Sequence, residues 1–433
     1  MNEKQISIYT LGCKVNQYES EAFAEALEGE GYTVLQGGKD SAVCIINTCT
    51  VTGESDRKCR QTIRHAISDN PGAYIIVTGC FAQISPNAIQ AMGNVDCIIG
   101  NRNKLQVVTM ALNALKGQRT SLSAISELND AEYEEMKVKR SERTRAYIKI
   151  QDGCENNCTY CIIPKARGPI RSRKVEDVLK EAKELIASGY KELVLTGIEV
   201  AAYGRDLENA DLLTLLTKLN SLEGLERIRL SSIELSFLRP HIIEGIANLP
   251  KVCHHFHLSL QSGCSRTLAS MKRKYNVDMI RKSVESLRTH MPDVLFSGDI
   301  IVGFPTETDE DFNETYSLLS ELTLLHMHVF SYSRRPGTPA ANMKNVSTPA
   351  EIKERSKKLI SLDEENRQKV YCQMAPIGSK HKVLFETNEN GIWQGHTENF
   401  MEIFVASEED LNNTIRTVEI VGFMDKKLLG KLI

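Results

Sequence analysis

The feature that most constrains this chain is the repeated alternation of short apolar runs with amphipathic helical patterns. In the first 115 residues, four apolar runs are each followed by a helical pattern. Strands that alternate with helices favour a parallel sheet covered by helices on its faces. The predicted strands are 6–12, 42–50, 73–79 and 97–100, and the predicted helices are 17–30, 54–68, 86–92 and 101–115.

The same alternation returns after a polar stretch. Residues 116–144 lack an apolar period, so we predict a linker between two domains there. Beyond it, six apolar runs are separated by helical patterns. Eight strand–helix units would predict a closed barrel, whereas six predict an open, partial (βα)6 barrel whose working face is the carboxyl end of its strands. The runs are 147–151, 192–197, 227–232, 256–261, 295–304 and 326–333, and the helices are 175–188, 207–221, 235–247, 277–290 and 308–322.

The last part of the chain has a different pattern. A long charged helix over 349–372 is followed by five short strands with no helix between them, which is typical of a small β-barrel. The fold class is therefore α/β. We predict an N-terminal open parallel α/β sheet over 1–115, the partial barrel over 145–372 and a small β-barrel over 373–433.

Composition narrows the functional classes. Hydrophobic residues make up 41% and charged residues 25% of the 433 residues, as in ordinary globular proteins. The net charge is −3, so any contact with nucleic acid depends on local basic patches. The absence of an 18-residue apolar stretch and of a secretory pattern in MNEKQIS leads us to expect a cytoplasmic protein without a membrane span. In that compartment the 12 cysteines are not expected to form disulfides.

Three of these cysteines stand within eight residues. Cys154, Cys158 and Cys161, called the loop cysteines below, have C-x3-C-x2-C spacing directly after the first barrel strand. Three thiolates can bind three irons of a [4Fe-4S] cubane and leave the fourth iron open to another ligand. The alternative is a structural zinc site whose fourth ligand lies elsewhere. The position of the motif on the first loop of a barrel favours the cluster.

A second set of three is dispersed in the sequence. Cys13, Cys49 and Cys80, called the strand-end cysteines, each stand where a predicted parallel strand ends. Such ends share one edge of an open α/β sheet, so the three are expected to converge there. The alternative is three unrelated buried cysteines. We assign the remaining cysteines to packing or to the surface: Cys44, Cys59, Cys97, Cys253, Cys264 and Cys372.

These motifs resemble those of a known family. The loop cysteines, with Tyr160 before the last one, resemble the radical S-adenosylmethionine (SAM) superfamily. Within it, Thr-Leu-Gly-Cys-Lys-Val-Asn-Gln-Tyr-Glu at 10–19, Ile-Asn-Thr-Cys at 46–49, Val-Thr-Gly-Cys at 77–80 and Tyr-Ser-Arg-Arg-Pro-Gly-Thr-Pro-Ala at 332–340 resemble the methylthiotransferases. The resemblance covers essentially the whole chain, and its last domain is similar to a TRAM domain.

The resemblance implies two [4Fe-4S] clusters and SAM as cofactors. The loop cysteines would bind the cluster that cleaves SAM to a 5′-deoxyadenosyl radical, and the strand-end cysteines an auxiliary cluster that carries the sulfur to be methylated and transferred. The cofactors supply this chemistry, while the protein positions them. Each residue expected near SAM has an alternative role in the core or at a strand end. These residues are Tyr160, Gly197, Glu199, Ser231, Gln261, Gly303 and Pro305.

Family members act on three kinds of substrate. They modify isopentenylated adenosine in tRNA, an aspartate of a ribosomal protein, or N6-threonylcarbamoyladenosine at tRNA position 37. The string Gly-Cys-Lys-Val-Asn-Gln-Tyr-Glu at 12–19 is most similar to the third branch, since the isopentenyl branch more often has Gln-Met after the Cys. Lys165 and Glu199 depart from the pattern of that branch. The main hypothesis is a tRNA methylthiotransferase that acts on C2 of N6-threonylcarbamoyladenosine at position 37. The alternatives are a methylthiotransferase of isopentenylated tRNA adenosine or of a ribosomal-protein aspartate, and a non-catalytic RNA-binding metalloprotein.

Basic residues surround the loop cysteines. Residues 137–174 contain 11 Lys or Arg against 3 acidic residues, a net charge of +8 over 38 residues. We predict a phosphate-binding rim, although such runs are also typical of a solvated face. A loop nucleotide can be splayed out of its stack, so a tRNA anticodon loop is the expected partner. The rim residues are Lys165, Arg167, Arg171, Arg173, Lys174, Arg273 and Arg334, of which Arg273 and Arg334 are alternatively expected to reach into the site.

The terminal barrel gives a weaker signal for RNA. From residue 376 onward it has 6 Lys or Arg and 9 acidic residues. Trp393, His396 and Phe400 are candidates to stack on bases, with core packing as the alternative for Trp393 and Phe400. We expect a monomer that also needs an electron donor and a sulfur source, neither of which the sequence identifies.

Overall fold

The computed structural model describes residues 2–129, 131–139, 143–424 and 426–433. Arg140 and Glu142 of the basic segment, residue 130 of the predicted linker, and Asp425 lie outside the described residues.

The N-terminal part is a six-stranded sheet in which every pairing is parallel, in the order β2-β1-β3-β4-β5-β6. The central strands β3 and β4 are buried at every residue, because helices cover both faces of the sheet. The elements are β1 Asn2–Thr10, α1 Lys14–Gly29, β2 Thr33–Gln36, β3 Ser41–Thr48, α2 Gly53–Asp69, β4 Tyr74–Gly79, α3 Cys80–Ile84, α4 Pro86–Gln90, β5 Cys97–Ile99, α5 Gln106–Leu115 and β6 Leu122–Ala124.

The predicted linker is more ordered than its polar composition indicates. Strand β6 lies within it and pairs with β5 at the edge of the sheet. Farther along, Leu128, Met136 and Val138 are buried, and the last two join the core of the N-terminal sheet. A few apolar anchors at irregular spacing produce no periodic signal, which is why sequence patterning did not reveal these contacts.

The central part contains two three-stranded parallel sheets, β7-β10-β11 and β12-β13-β14. Isolated parallel bridges, Ile228–Val252 and Ile233–Leu258, connect β11 to β12 and give one open six-stranded array. The elements are β7 Arg145–Lys149, β8 Gln151–Asp152, α6 Ile163–Arg167, β9 Arg171–Ser172, α7 Val175–Ala187, β10 Glu192–Thr196, α8 Leu212–Asn220, β11 Arg227–Leu230, α9 Pro240–Ala247, β12 His255–Gln261, α10 Ser265–Ser270, α11 Val277–His290, β13 Leu295–Val302, α12 Asp309–Leu322, β14 His326–Ser331 and α13 Pro349–Met374, with 3-10 turns at Val200–Ala202, Leu235–Phe237 and Pro339–Asn342.

The predicted parallel α/β fold is confirmed, and the differences are local. The helix predicted over 235–247 divides into a 3-10 turn and α9, which begins at Pro240. Proline lacks an N–H and is favoured at the first position of a helix, so the helix starts there rather than continuing through it. The helix predicted from residue 86 is preceded by a separate short helix, α3, that begins at Cys80.

The C-terminal strands close into a five-stranded barrel in the order β15-β16-β17-β19-β18. Its core includes Leu295 at the start of β13, Leu325 before β14 and Tyr371 of α13, so the barrel packs beneath the amino ends of the central strands. No helix among the described residues is long and apolar enough to cross a bilayer. The strands are β15 Lys380–Glu389, β16 Ile392–Thr397, β17 Glu402–Ala406, β18 Ile415–Met424 and β19 Lys427–Leu432.

Candidate functional site

One large cavity brings all six predicted metal ligands together. It has a volume of about 1190 Å³ and is lined by residues of the N-terminal sheet, the central array and the C-terminal barrel. Its walls include the three strand-end cysteines and the three loop cysteines. The carboxyl ends of parallel strands meet at one edge, which explains how cysteines far apart in sequence reach the same space.

The strand-end cysteines pack closely against one another and against polar groups. A Cβ added at Gly12, whose φ is +109°, would stand 2.7 Å from Cβ of Cys49, so only glycine allows this approach. Arg167 donates from Nε to Sγ of Cys80 at 3.1 Å. Burial and the neighbouring Cys80 together raise the pKa of the Cys49 thiol to about 11.

The loop cysteines follow a turn that requires glycine. Gly153 has a φ of +75°, and a Cβ there would collide with the carbonyl oxygen of Pro169. The Cys154 thiol donates to Oε2 of Glu199 at 3.0 Å, and Arg273 donates from Nη1 to Sγ of Cys158 at 3.1 Å. A buried carboxylate and a buried guanidinium therefore hold two of these sulfurs in position.

The donor set, two groups of three thiols on one cavity, fits iron–sulfur clusters. Among residues 2–129, 131–139, 143–424 and 426–433, no three His, Cys, Asp or Glu side chains come close enough to share one metal ion. Each thiolate of a cubane binds a different iron, so its ligands stand farther apart than those of one ion. Burial raises the pKa of Cys161 to about 11, so cluster binding must displace a thiol proton there.

Unpartnered polar atoms beside the loop cysteines fit a polar ligand. Oδ1 of Asn156, Oγ1 of Thr196 and Oγ of Ser231 are buried in the wall of the cavity and have no hydrogen-bond partner among the described residues. Buried polar groups are normally paired, so three orphaned atoms at one end of a cavity indicate a place where a ligand supplies the missing partners.

The residues predicted to lie near SAM divide into two groups. Gly303 does not line the cavity; its φ is +75°, and a Cβ there would stand 2.5 Å from Ile352 of α13, so this glycine serves helix packing. Pro305 is buried beside it, where its carbonyl accepts from the Val346 amide at 2.9 Å. The cavity is lined by the other five: Tyr160, Gly197, Glu199, Ser231 and Gln261.

The predicted phosphate-binding rim is wrong for three of its arginines. Arg167 and Arg173 are almost wholly buried, and Arg171 is only 5% exposed. Arg173 is held by Glu135 and Glu181, so it cannot reach a phosphate. Three other residues of the predicted rim are exposed: Lys165, Lys174 and Arg334. Arg273 reaches into the cavity, as its alternative prediction states.

Sequence reasoning missed a buried ion network that joins the N-terminal sheet to the central array. Glu19 of α1 accepts from Arg167 at 2.6 Å and from Lys149 at 3.0 Å, and it also pairs with Lys104. Asp152 accepts from Lys149 at 2.6 Å and from Arg167 at 3.1 Å. The only signal in the sequence for this network was Glu19, a carboxylate at helical spacing between the apolar residues Val15 and Phe23 of α1.

A second part of the cavity wall, called the inner end below, is rich in cations and aromatic rings; it is formed by Lys14, Arg229, His255 and Phe400. Phe400 of the C-terminal barrel stacks on His255 with ring centroids 4.7 Å apart. The Arg229 guanidinium lies 4.7 Å from the centroid of the Phe400 ring. Lys14, next to Cys13, also lines this cavity. Burial together with Arg145 and Arg229 lowers the pKa of Lys14 to about 8.

Comparison with known proteins is consistent with this geometry. Residues 148–319 match the Radical SAM superfamily, and residues 5–100 match uncharacterized protein family UPF0004. TsrM, a radical SAM methyltransferase from Kitasatospora setae solved with cobalamin and a [4Fe-4S] cluster, shares the fold with a TM-score of 0.57 at 15% identity, over 78% of this chain and 74% of that one. Residues 148–319 therefore form a radical SAM domain.

Full-length relatives define the family further. The threonylcarbamoyladenosine tRNA methylthiotransferase MtaB of Bacillus subtilis is 39% identical over 96% of this chain and 93% of its own length. The tRNA-2-methylthio-N(6)-dimethylallyladenosine synthase of Thermoanaerobacter pseudethanolicus is 34% identical over 98% of this chain and 88% of its own. This chain belongs to the radical SAM methylthiotransferase family.

Proposed function

We propose that this protein is a tRNA methylthiotransferase that adds a methylthio group to C2 of N6-threonylcarbamoyladenosine at tRNA position 37, beside the anticodon. The observation that carries this proposal is the single cavity lined by both sets of cysteines. The 39% identity to the Bacillus subtilis protein named for this substrate supports the choice among the family's substrates.

In this proposal the loop cysteines hold the cluster that binds SAM, and the strand-end cysteines hold the auxiliary cluster. The clusters and SAM, when bound, supply the one-electron chemistry and the sulfur that the transfer needs. Glu199 accepts from Asn156 Nδ2 at 2.8 Å, so it positions the loop that carries Cys154. Ser231 and Thr196 offer free hydroxyl oxygens to SAM.

The rest of the chain would select and hold the tRNA. Lys165, Lys174 and Arg334 are the exposed cations that we assign to phosphate contacts. The C-terminal barrel, residues 373–433, would act as a TRAM-like module, with 1–115 and 145–372 as the auxiliary-cluster and radical SAM domains. Because both cysteine sets come from one chain, we propose that it acts as a monomer. Its tRNA substrate makes the cytoplasm its place of action.

The decisive experiment measures tRNA nucleosides by mass spectrometry in a strain that lacks this protein. We expect loss of the methylthiolated threonylcarbamoyl nucleoside and accumulation of its precursor. Expression of the wild-type protein in this strain should restore the methylthiolated nucleoside, and expression of Cys13→Ala should not. Cys372→Ala is a matched control, because Cys372 is exposed and lies outside the cavity.

Two results would overturn the proposal. One is persistence of the methylthiolated threonylcarbamoyl nucleoside in the deletion strain. The other is a deletion strain that loses the methylthiolated dimethylallyl nucleoside instead of the threonylcarbamoyl one.

Iron analysis of anaerobically purified protein should find about eight irons per chain, four for each cubane. Four or fewer irons per chain would show that the protein holds no auxiliary cluster.

A further inference from the structure

The cavity that contains the inner end is lined by more cations than carboxylates. The charged side chains that line the whole cavity are six cations and four carboxylates. Most of these cations have partners: Arg273 pairs with Glu234, and Arg145 pairs with Glu386 at 3.0 Å. The cations without such partners therefore decide what kind of ligand this end accepts.

Two nitrogen atoms at this end lack partners. Arg229 uses Nε and Nη2 on Glu192, but its Nη1 is buried with no hydrogen bond among the described residues. His255 uses Nε2 on Ser297 at 3.0 Å, and its Nδ1 is likewise unpaired. Both side chains are more than nine-tenths buried, and both line the cavity. An unpaired N–H of a buried guanidinium favours an anionic acceptor.

Lys14 adds a full charge to this arrangement. Within the part of the chain that the structure describes, it forms no ion pair or hydrogen bond, and it is open to the cavity. It lies near enough to act electrostatically on His255, whose pKa is held well below its usual range by burial and by Arg229, His257 and Lys14. The unpaired ammonium and the unpaired guanidinium N–H thus share one region.

We propose that Lys14 and Nη1 of Arg229, with Nδ1 of His255 beside them, form an anion subsite that takes the carboxylate of the substrate's threonylcarbamoyl arm. This inference rests on the proposed function. A threonine joined to adenine through its amino group keeps its carboxylate free, whereas a dimethylallyl arm is apolar and uncharged. The subsite would therefore select for the acidic arm and against the apolar one, since a buried cation left unpaired is costly.

A tRNA phosphate is the other anion that such a subsite could attract, and the position of the subsite argues against it. Two of its three members, Arg229 and His255, are more than nine-tenths buried, and Phe400 of the C-terminal barrel stacks against both. A phosphate belongs to a backbone that continues on both sides, so it is hard to bring against two buried side chains. A side arm of a single flipped base has one free end and suits this arrangement.

The test uses cluster-loaded protein and anticodon stem-loop RNAs that differ only at the N6 arm. One RNA carries the threonylcarbamoyl acid and the other carries its methyl ester, so the phosphates are the same in both. Wild-type protein should bind the acid at least about tenfold more tightly, or ~1.4 kcal/mol. Lys14→Gln should lose this preference, and Lys14→Arg should keep most of it.

Controls separate the subsite from folding and from general charge effects. Lys218→Gln removes an exposed cation at the end of α8, outside the cavity, and should leave the ratio of the two affinities unchanged. Iron and sulfide content and SAM binding should be equal in wild type and Lys14→Gln, which shows that the neighbouring Cys13 is undisturbed.

Equal affinity of wild-type protein for acid and ester would overturn the subsite. A preference that survives in Lys14→Gln would remove Lys14 from it. Weaker binding of both RNAs by the same factor would assign Lys14 to a phosphate contact and also overturn the proposal. None of these results touches the proposed function, which the nucleoside analysis of the deletion strain tests separately.

Discussion

Replacing Glu19 with Gln removes the central carboxylate of the buried ion network. Glu19 is fully buried, and the side chains of Arg167, Lys149 and Lys104 all contact it. The substitution keeps the shape of the side chain. It leaves Arg167 and Lys149 with Asp152, and it removes the carboxylate that pairs with Lys104. Breaking a buried pair from one side costs about 3–5 kcal/mol, because the opposite charge stays buried without compensation.

This cost can be measured as a thermal shift. For a domain of roughly 150–250 residues, each kcal/mol corresponds to about 2–4 °C, so Glu19→Gln should lower the Tm of the transition that it affects by roughly 6–20 °C. The assay is circular dichroism melting of protein kept under anaerobic conditions. The control is Glu321→Gln, the same change in a half-exposed pair with Arg281 that is worth at most about 1 kcal/mol. A shift no larger than that of the control would refute the reasoning.

The pH dependence of this difference has a defined sign. Burial by itself raises the pKa of Glu19, but Arg167, Lys104 and Lys149 together hold it well below its usual range. A carboxyl whose pKa is lower in the folded state stabilises the fold above its unfolded pKa, about 4.3, and this contribution is lost as the pH falls. The Tm difference between wild type and Glu19→Gln should therefore be largest near neutral pH and shrink below about pH 4. A difference that grows on acidification would contradict this sign.

Three further variants test the assignments within the site. Cys158→Ala should abolish production of 5′-deoxyadenosine while iron remains in the N-terminal domain; retained production would remove this residue from the SAM cluster. Cys49→Ala should still cleave SAM but yield no methylthiolated tRNA, and full product formation would refute its role. Replacing Lys165 and Lys174 with Ala should weaken tRNA binding and reduce the slope of log affinity against log salt by roughly 1 to 2. An unchanged slope would show that these exposed lysines contact no phosphate.

Local patterns were sufficient to predict the fold class and the positions of most strands. The period of an amphipathic helix and the short apolar run of a buried strand are properties of neighbouring residues, so they are readable without tertiary structure. The six central strands begin and end within a few residues of their predicted bounds. The order of parallel strands then brings the strand-end cysteines to one edge, and the cavity lined by all six candidate ligands follows from that topology.

Charge runs were the main source of error, for a physical reason. Arg167 and Arg173 stand in the same basic segment as Lys165 and Lys174, and nothing in the local sequence separates the buried pair from the exposed pair. What separates them is the presence of carboxylates on distant elements. Arg167 meets Glu19, which lies 148 residues away in the chain.

The sequence by itself determined the α/β architecture, the two sets of cysteines and the family, because each depends on residue type and spacing along the chain. Only the tertiary structure decided which arginines are buried, that Gly303 packs against α13, and that Lys14, Arg229 and His255 line one cavity. Those outcomes depend on which side chains from different elements come within a few ångströms of each other. Burial and pairing are properties of that three-dimensional neighbourhood, and the linear order of residues does not contain them.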